Sequence, residues 1–159
     1  MEPQLKQDEQ EVRNLYKNLL NNWNDNNAQG FAKLFAANGN TIGFDGSQMN
    51  GQKEIEDELT KIFANHKVAS YVSIVREVRS LSPSVYLLRA VAGMVPPGKS
   101  EINSKVNAIQ TLVAEKVSGQ FKIAIFQNTP ATFHERPDLS KQLTDELQHV
   151  FDTKHKENK

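Results

Sequence analysis

The sequence predicts an α+β fold in which an antiparallel sheet has one face covered by helices. Apolar residues recur at helical spacing near both ends of the chain, and four β-rich segments bounded by turn residues lie between them. A length of 159 residues suits one domain folded around a single core.

The first helix is read from the stripe Val12, Leu15, Tyr16, Leu19, Leu20 and Trp23. It starts near Pro3 or Asp8, and Asp8, Glu9 and Glu11 suit its first turns. The Asn-rich run 21–27 stops it, because these side chains compete with the backbone for hydrogen bonds. Asn26 or Asn27 then caps a short second helix carrying Phe31, Leu34 and Phe35, which Asn38-Gly39 ends in a left-handed turn. A short strand over 41–44 runs into an Asp45-Gly46 turn, and a third helix after Asn50-Gly51 shows Ile55, Leu59, Ile62 and Phe63 on one face.

The β-rich segments are 68–80, 85–94, 105–117 and 121–128, separated at Ser82-Pro83, Pro96-Pro97-Gly98 and Ser118-Gly119. Pro130 and Pro137 bracket a connector, and Asp138 caps a last helix with the stripe Leu139, Leu143, Leu147, Val150 and Phe151. Residues 152–159 are polar and expected to fray. A long sheet capped in this way leaves a cavity between sheet and helices, a favoured place for small molecules.

A two-residue Ser118-Gly119 turn sets the register of the last hairpin. Glu115 faces Lys122, Ala114 faces Ile123, Leu112 faces Ile125 and Gln110 faces Gln127. Leu112, Ala114, Phe121, Ile123 and Ile125 then form the core face, and the two glutamines end that face as pocket-lining amides. The alternative is that they bond each other, or the backbone of the first helix, and only fill space. The preceding hairpin allows two parities. In one, Arg76 and Arg89 oppose each other on the apolar face and require an anion or a carboxylate. In the other, Val75, Leu88, Ala90, Ala92 and Met94 point inward and the arginines outward.

Composition narrows the function classes. Nineteen Lys and Arg balance nineteen Asp and Glu, which argues against a nucleic-acid binder. Residues 1–67 hold 7 basic and 10 acidic side chains, 68–126 hold 7 and 3, and 127–159 hold 5 and 6, so the helical and sheet parts differ in sign. With no cysteine there is no disulfide, thiolate metal site or cysteine nucleophile, in keeping with a cytoplasmic location. No apolar run is long enough to span a membrane, and the start of the chain is polar rather than a signal peptide. The four histidines lack metal-ligand spacing, so no metal is expected, and no phosphate loop, dinucleotide fingerprint or nucleophile elbow is present, so no cofactor is expected either.

The stretches Leu20–Ala28, Phe31–Ala36, Asp45-Gly46, Gly51–Ile55, Val78–Leu81 with Val85, and Phe121–Pro130 resemble, in this order, the SnoaL-like (SgcJ/EcaC) group of the nuclear transport factor 2-like superfamily. The resemblance covers about residues 8–130. It implies a cone-shaped roll with an internal pocket, usually paired as a homodimer through the sheet. It also implies a division into a domain over 1–130 and an added connector, helix and tail over 131–159, the helix covering the pocket mouth or extending the dimer contact. The superfamily holds isomerases, dehydratases, cyclases and epoxide hydrolases as well as binding and association modules. Members of this group are often labelled oxidoreductases, although no nicotinamide or flavin signature is present here. This chain departs from the group at Asn27 and Asn38, where acidic residues are common.

Two functions are therefore expected as alternatives. One is a pocket binding a small, neutral, largely apolar molecule, ringed by Tyr16, Trp23, Gln110 and Gln127. The other is an acid–base enzyme acting on a polyketide-like or other cyclic substrate, using Tyr16 together with Arg89 or a further carboxylate. Asp45 and Asp25 are assigned turn and capping roles. The acidic positions missing at 27 and 38 favour the binding reading.

Overall fold

A computed structural model describes residues 2–157. Its elements, in order, are α1 (Glu2–Asn24), α2 (Ala28–Lys33), β1 (Phe35–Ile42), β2 (Gln48–Asn50), α3 (Gln52–Asn65), β3 (Ser70–Ser82), β4 (Val85–Val95), a 3-10 turn (Ser104–Val106), β5 (Ala108–Val117), β6 (Gln120–Pro130) and α4 (Pro137–Glu157). The six strands form one sheet in the order β2-β1-β6-β5-β4-β3. Every pair is antiparallel except β1–β6, so the expected antiparallel sheet is a mixed one.

The α1 stripe buries as expected: Val12, Leu15, Tyr16, Leu19 and Leu20 join the main core with Leu88, Ala90, Leu112, Ala114 and Ile123 from the inner sheet face. Asn27 caps α2, accepting from the Gly30 N–H. Past α2 the reading changes. Phe35 already belongs to a strand, and Asn38-Gly39 lies inside β1 rather than ending a helix. Gly39 is needed for close approach, since a Cβ there would come within 2.5 Å of the Ile123 carbonyl oxygen on the parallel neighbour.

Irregularities decide which way the strands face. In β3 the register skips Arg76, so Glu77 opposes Arg89 with 3.4 Å between their charged groups. Both arginines lie outside, the second of the two parities, while Leu88, Ala90 and Ala92 are buried inward. In β6 a bulge falls between Ile123 and Ile125, which face Ala114 and Val113. Glu115–Lys122 and Ala114–Ile123 pair as predicted, but beyond Ala124 each partner shifts by one residue. Phe126, not Ile125, faces Leu112, and Asn128, not Gln127, faces Gln110. Ile125, expected in the core, is 40% exposed, because slipping one residue turns a strand's side chains to the other face.

Helix α4 lies on the outer sheet face and contributes no residue to the cavity under the inner face. Pro137 opens it and Asp138 lies in its first turn rather than at its cap. Leu143, Leu147 and Phe151 pack on the outer sheet face with Val91, Val95 and Ile102, and Val72, Ile74 and Ile109 adjoin them. Gly93 lies under the helix, where a Cβ would come within 2.9 Å of Leu147. Thr144 accepts from Asn107 Nδ2 (2.9 Å), Gln148 Oε1 accepts from the Ile102 N–H (2.8 Å) and Glu146 pairs with the bulged Arg76 (3.0 Å). Residues 152–157, expected to fray, continue α4, while 158 and 159 lie outside the described residues.

Candidate functional site

A cavity of about 340 Å³ opens between the C-terminal end of α1, α2, the β1–β2 turn, α3 and the inner sheet face. Trp23 forms one wall. Its indole N–H donates to the Ala69 carbonyl (2.9 Å), and its ring packs against Phe31, Phe63 and Tyr71 at centroid distances of 6.4, 5.3 and 5.4 Å. The Asn-rich stretch does more than stop α1. Asn24 accepts from the Tyr71 N–H (2.7 Å) and donates to the Tyr71 carbonyl (3.2 Å), tying the helix end to the edge strand β3. Phe126 and Met94 complete the sheet side.

The polar wall is supplied by Thr41, Asn128 and the turn residues Asp45 and Ser47. Asn128 ends a buried chain of hydrogen bonds whose direction is fixed by its last member. The Ile42 carbonyl can only accept, so it takes Nδ2 of Asn128 (3.2 Å). Asn128 Oδ1 therefore faces Gln110 and accepts from its Nε2 (2.8 Å), which turns Gln110 Oε1 toward the Tyr16 hydroxyl as acceptor (2.5 Å). Each amide is thereby held in one orientation, and Asn128 keeps one N–H and one lone pair uncommitted.

The predicted residues separate accordingly. Trp23 lines the cavity. Tyr16 and Gln110, 1% and 0% exposed, stand one layer behind its wall and act through Asn128. Gln127 points out of the core because of the β6 bulge, and Asn128 takes the place expected for it. Arg89 sits on the outer face against Glu77 and Thr111. Sequence reasoning missed Thr41, Tyr71, Met94, Phe126 and Asn128. One signal was available, since the run Ile123-Ala124-Ile125-Phe126 breaks strict alternation and marks a bulge.

The ionisable groups on the wall are Asp45 and Tyr71. The Ser47 backbone N–H, donating at 2.9 Å, holds the Asp45 carboxyl below its ordinary range, so Asp45 is an anion at the exposed rim. Burial pushes the Tyr71 phenol to about 12 and also raises that of Tyr16. Both stay neutral at physiological pH. Among the described residues no three His, Asp or Glu side chains gather where they could hold a metal, and no helix is long and apolar enough to cross a membrane. The site can therefore receive an apolar body, stack it on aromatic rings and offer it one oriented amide.

No family model matches the chain, and no curated protein matches it. Solved structures match its shape. A domain of unknown function with a cystatin-like fold from Nostoc punctiforme is 23% identical over 82% of each chain, with a TM-score of 0.73. An NTF-2-like protein of unknown function from Shewanella oneidensis is 14% identical over 76% of this chain and 97% of that one, with a TM-score of 0.61. A Novosphingobium aromaticivorans protein, assigned by name only as a scytalone dehydratase, is 13% identical over 83% and 89%, with a TM-score of 0.68. At these identities the likeness is one of fold, the nuclear transport factor 2-like, cystatin-like α+β fold.

Proposed function

We propose that the protein binds a small, neutral, largely apolar molecule in the cavity walled by Trp23, Tyr71 and Phe126, with Asn128 as its polar anchor. The observation that carries this reading is the chemistry of the wall. Aromatic and thioether groups face a single oriented amide, and neither ionisable group there exchanges a proton near neutral pH. Acid–base catalysis would have to use Asp45, an exposed carboxylate already satisfied by Ser47 and kept charged below the ordinary range, which makes it a weak base.

The ordered matches to the SnoaL-like group, together with the shared fold, support placing residues 1–130 in that group as the binding domain, with 131–159 as an addition. The absence of cysteine suits a cytoplasmic location. Two copies pair through the half of the outer sheet face that α4 leaves free, where Leu87, Val113 and Ile125 are cross-strand neighbours beside Arg89 and Glu77. Light scattering is expected to give twice the 17.9 kDa chain mass, and a monomer mass at micromolar concentration overturns the pairing.

Trp23 is the chain's one tryptophan, so its emission reports on the cavity. Titration with 2-naphthol, a neutral bicyclic probe, is expected to change that emission saturably. The Asn128→Leu variant is expected to weaken the probe about tenfold, the loss of one good hydrogen bond. An emission that stays unchanged with 2-naphthol and with every other neutral aromatic tried would overturn the reading.

A further inference from the structure

A second concavity, about 350 Å³, lies between α1, the edge strand β3 and the C-terminal end of α4. Tyr71 belongs to the walls of both, but the rest of the lining differs in kind from that of the cavity above. Arg13 and Lys17 from α1 and Lys154 from α4 stand around it, Leu20, Val72 and Val150 give it an apolar floor, and the remaining lining is amide, hydroxyl or apolar with no carboxylate. None of the three cations makes an ion pair or a side-chain hydrogen bond among the described residues. Elsewhere on α4 and β3, Lys141 pairs with Asp145 and Arg76 with Glu146.

Three like charges gather here. Arg13 and Lys17 are four residues apart on one helix, a spacing at which like charges repel, and Lys154 brings a third positive charge to the same groove. A bound anion would relieve this repulsion while an apolar body covered the floor. The other cavity would repel such a ligand, because Asp45 holds a negative charge at its rim.

We propose that this groove is a separate binding site for an organic anion with a short apolar body, its carboxylate or phosphate head held by Arg13, Lys17 and Lys154. Calorimetric titration of the full chain with decanoate, and in parallel with decanol and inorganic phosphate, tests it. Decanoate is expected to bind saturably and decanol much more weakly. Raising NaCl from about 50 to about 300 mM is expected to weaken decanoate about fivefold, as screening of partly exposed charges requires. The double variant Arg13→Gln/Lys17→Gln, whose side chains are exposed on α1, is expected to lose about tenfold in affinity with its circular dichroism unchanged. Lys154→Gln is expected to show a smaller loss in the same direction. Asn128→Leu, which alters the other cavity, is expected to leave decanoate affinity as it is.

Equal binding of decanol and decanoate, or wild-type affinity in the double variant, overturns the proposal. Phosphate binding as tightly as decanoate would remove the apolar floor from it and overturn the ligand class. Loss of decanoate binding in Asn128→Leu would place the probe in the other cavity and overturn the groove as its site, while the 2-naphthol titration reports on that cavity independently.

Discussion

The two ends of α1 treat buried polar groups in opposite ways. At its N-terminal end the Asp8 carboxylate, 3% exposed, accepts from Gln4 (2.9 Å), from Tyr86 (3.4 Å) and from Lys116 (3.2 Å), and the Lys116 ammonium also lies over the Phe121 ring. Donors from three elements converge on one acceptor, and a charged group out of water is matched on the spot. Beyond its middle, α1 sends Tyr16 into the relay through Gln110 to Asn128, and that relay ends on an amide with spare valences at a cavity wall. A polar cluster that satisfies itself is a structural tie. One that stops short of satisfaction beside a void is positioned for a ligand.

Breaking the tie tests the first half of this contrast and carries the largest expected effect. Asp8→Ala strips the partner from Lys116 and Tyr86 and is expected to cost about 2–4 kcal/mol in denaturant unfolding, with 2-naphthol affinity in the folded protein unchanged. A loss of probe affinity there would dissolve the distinction between the two ends. Tyr16→Phe comes next. It leaves Gln110 Oε1 buried without its donor, at about 1–3 kcal/mol, and it frees the amides to flip, so stability and probe affinity are expected to fall together. A drop in stability alone would mean that Asn128 does not depend on the relay.

Alkaline pH tests both ends at once, since all three tyrosines of the chain are raised from their ordinary value of 10.0. Burial is the leading cause for each, and for Tyr86 the Asp8 charge adds to it. In the unfolded chain the phenols ionise near 10, whereas the folded protein keeps them neutral, so the unfolded state binds fewer protons and stability falls as pH rises from 10 through about 12. Tyr71→Phe is expected to flatten part of that fall, and a stability constant over this range would contradict it. Asn128→Leu leaves the buried Gln110 Nε2 without its acceptor, at about 1–3 kcal/mol, and is the change expected to weaken the probe most. Asp8→Ala, by contrast, is expected to cost stability with the probe still bound, so the two variants separate the two ends of α1.

Local chemistry made much of the fold legible. The 3.6-residue stripes of α1, α3 and α4, the Asn27 cap and the Ser118-Gly119 hairpin are each written in a short window of sequence, and the structure keeps them. The site was legible only at Trp23, a large aromatic on a helical stripe. Asn128 escaped because the β6 bulge, a single residue near Ala124, reverses the facing of everything after it, so Gln127 was read in its place.

Local sequence settled most of the helices and strands, outside the 34–40 stretch that turns from α2 into β1, because those preferences act over a few residues through sterics, capping and apolar periodicity. Tertiary structure alone decided which face each strand shows, and it set α4 across the outer sheet rather than over the cavity. Val72, Ile74 and Val91 make the outer face nearly as apolar as the inner one, so periodicity cannot say which face receives which helix. Packing partners far apart in the chain make that choice, and with it the position of the cavity.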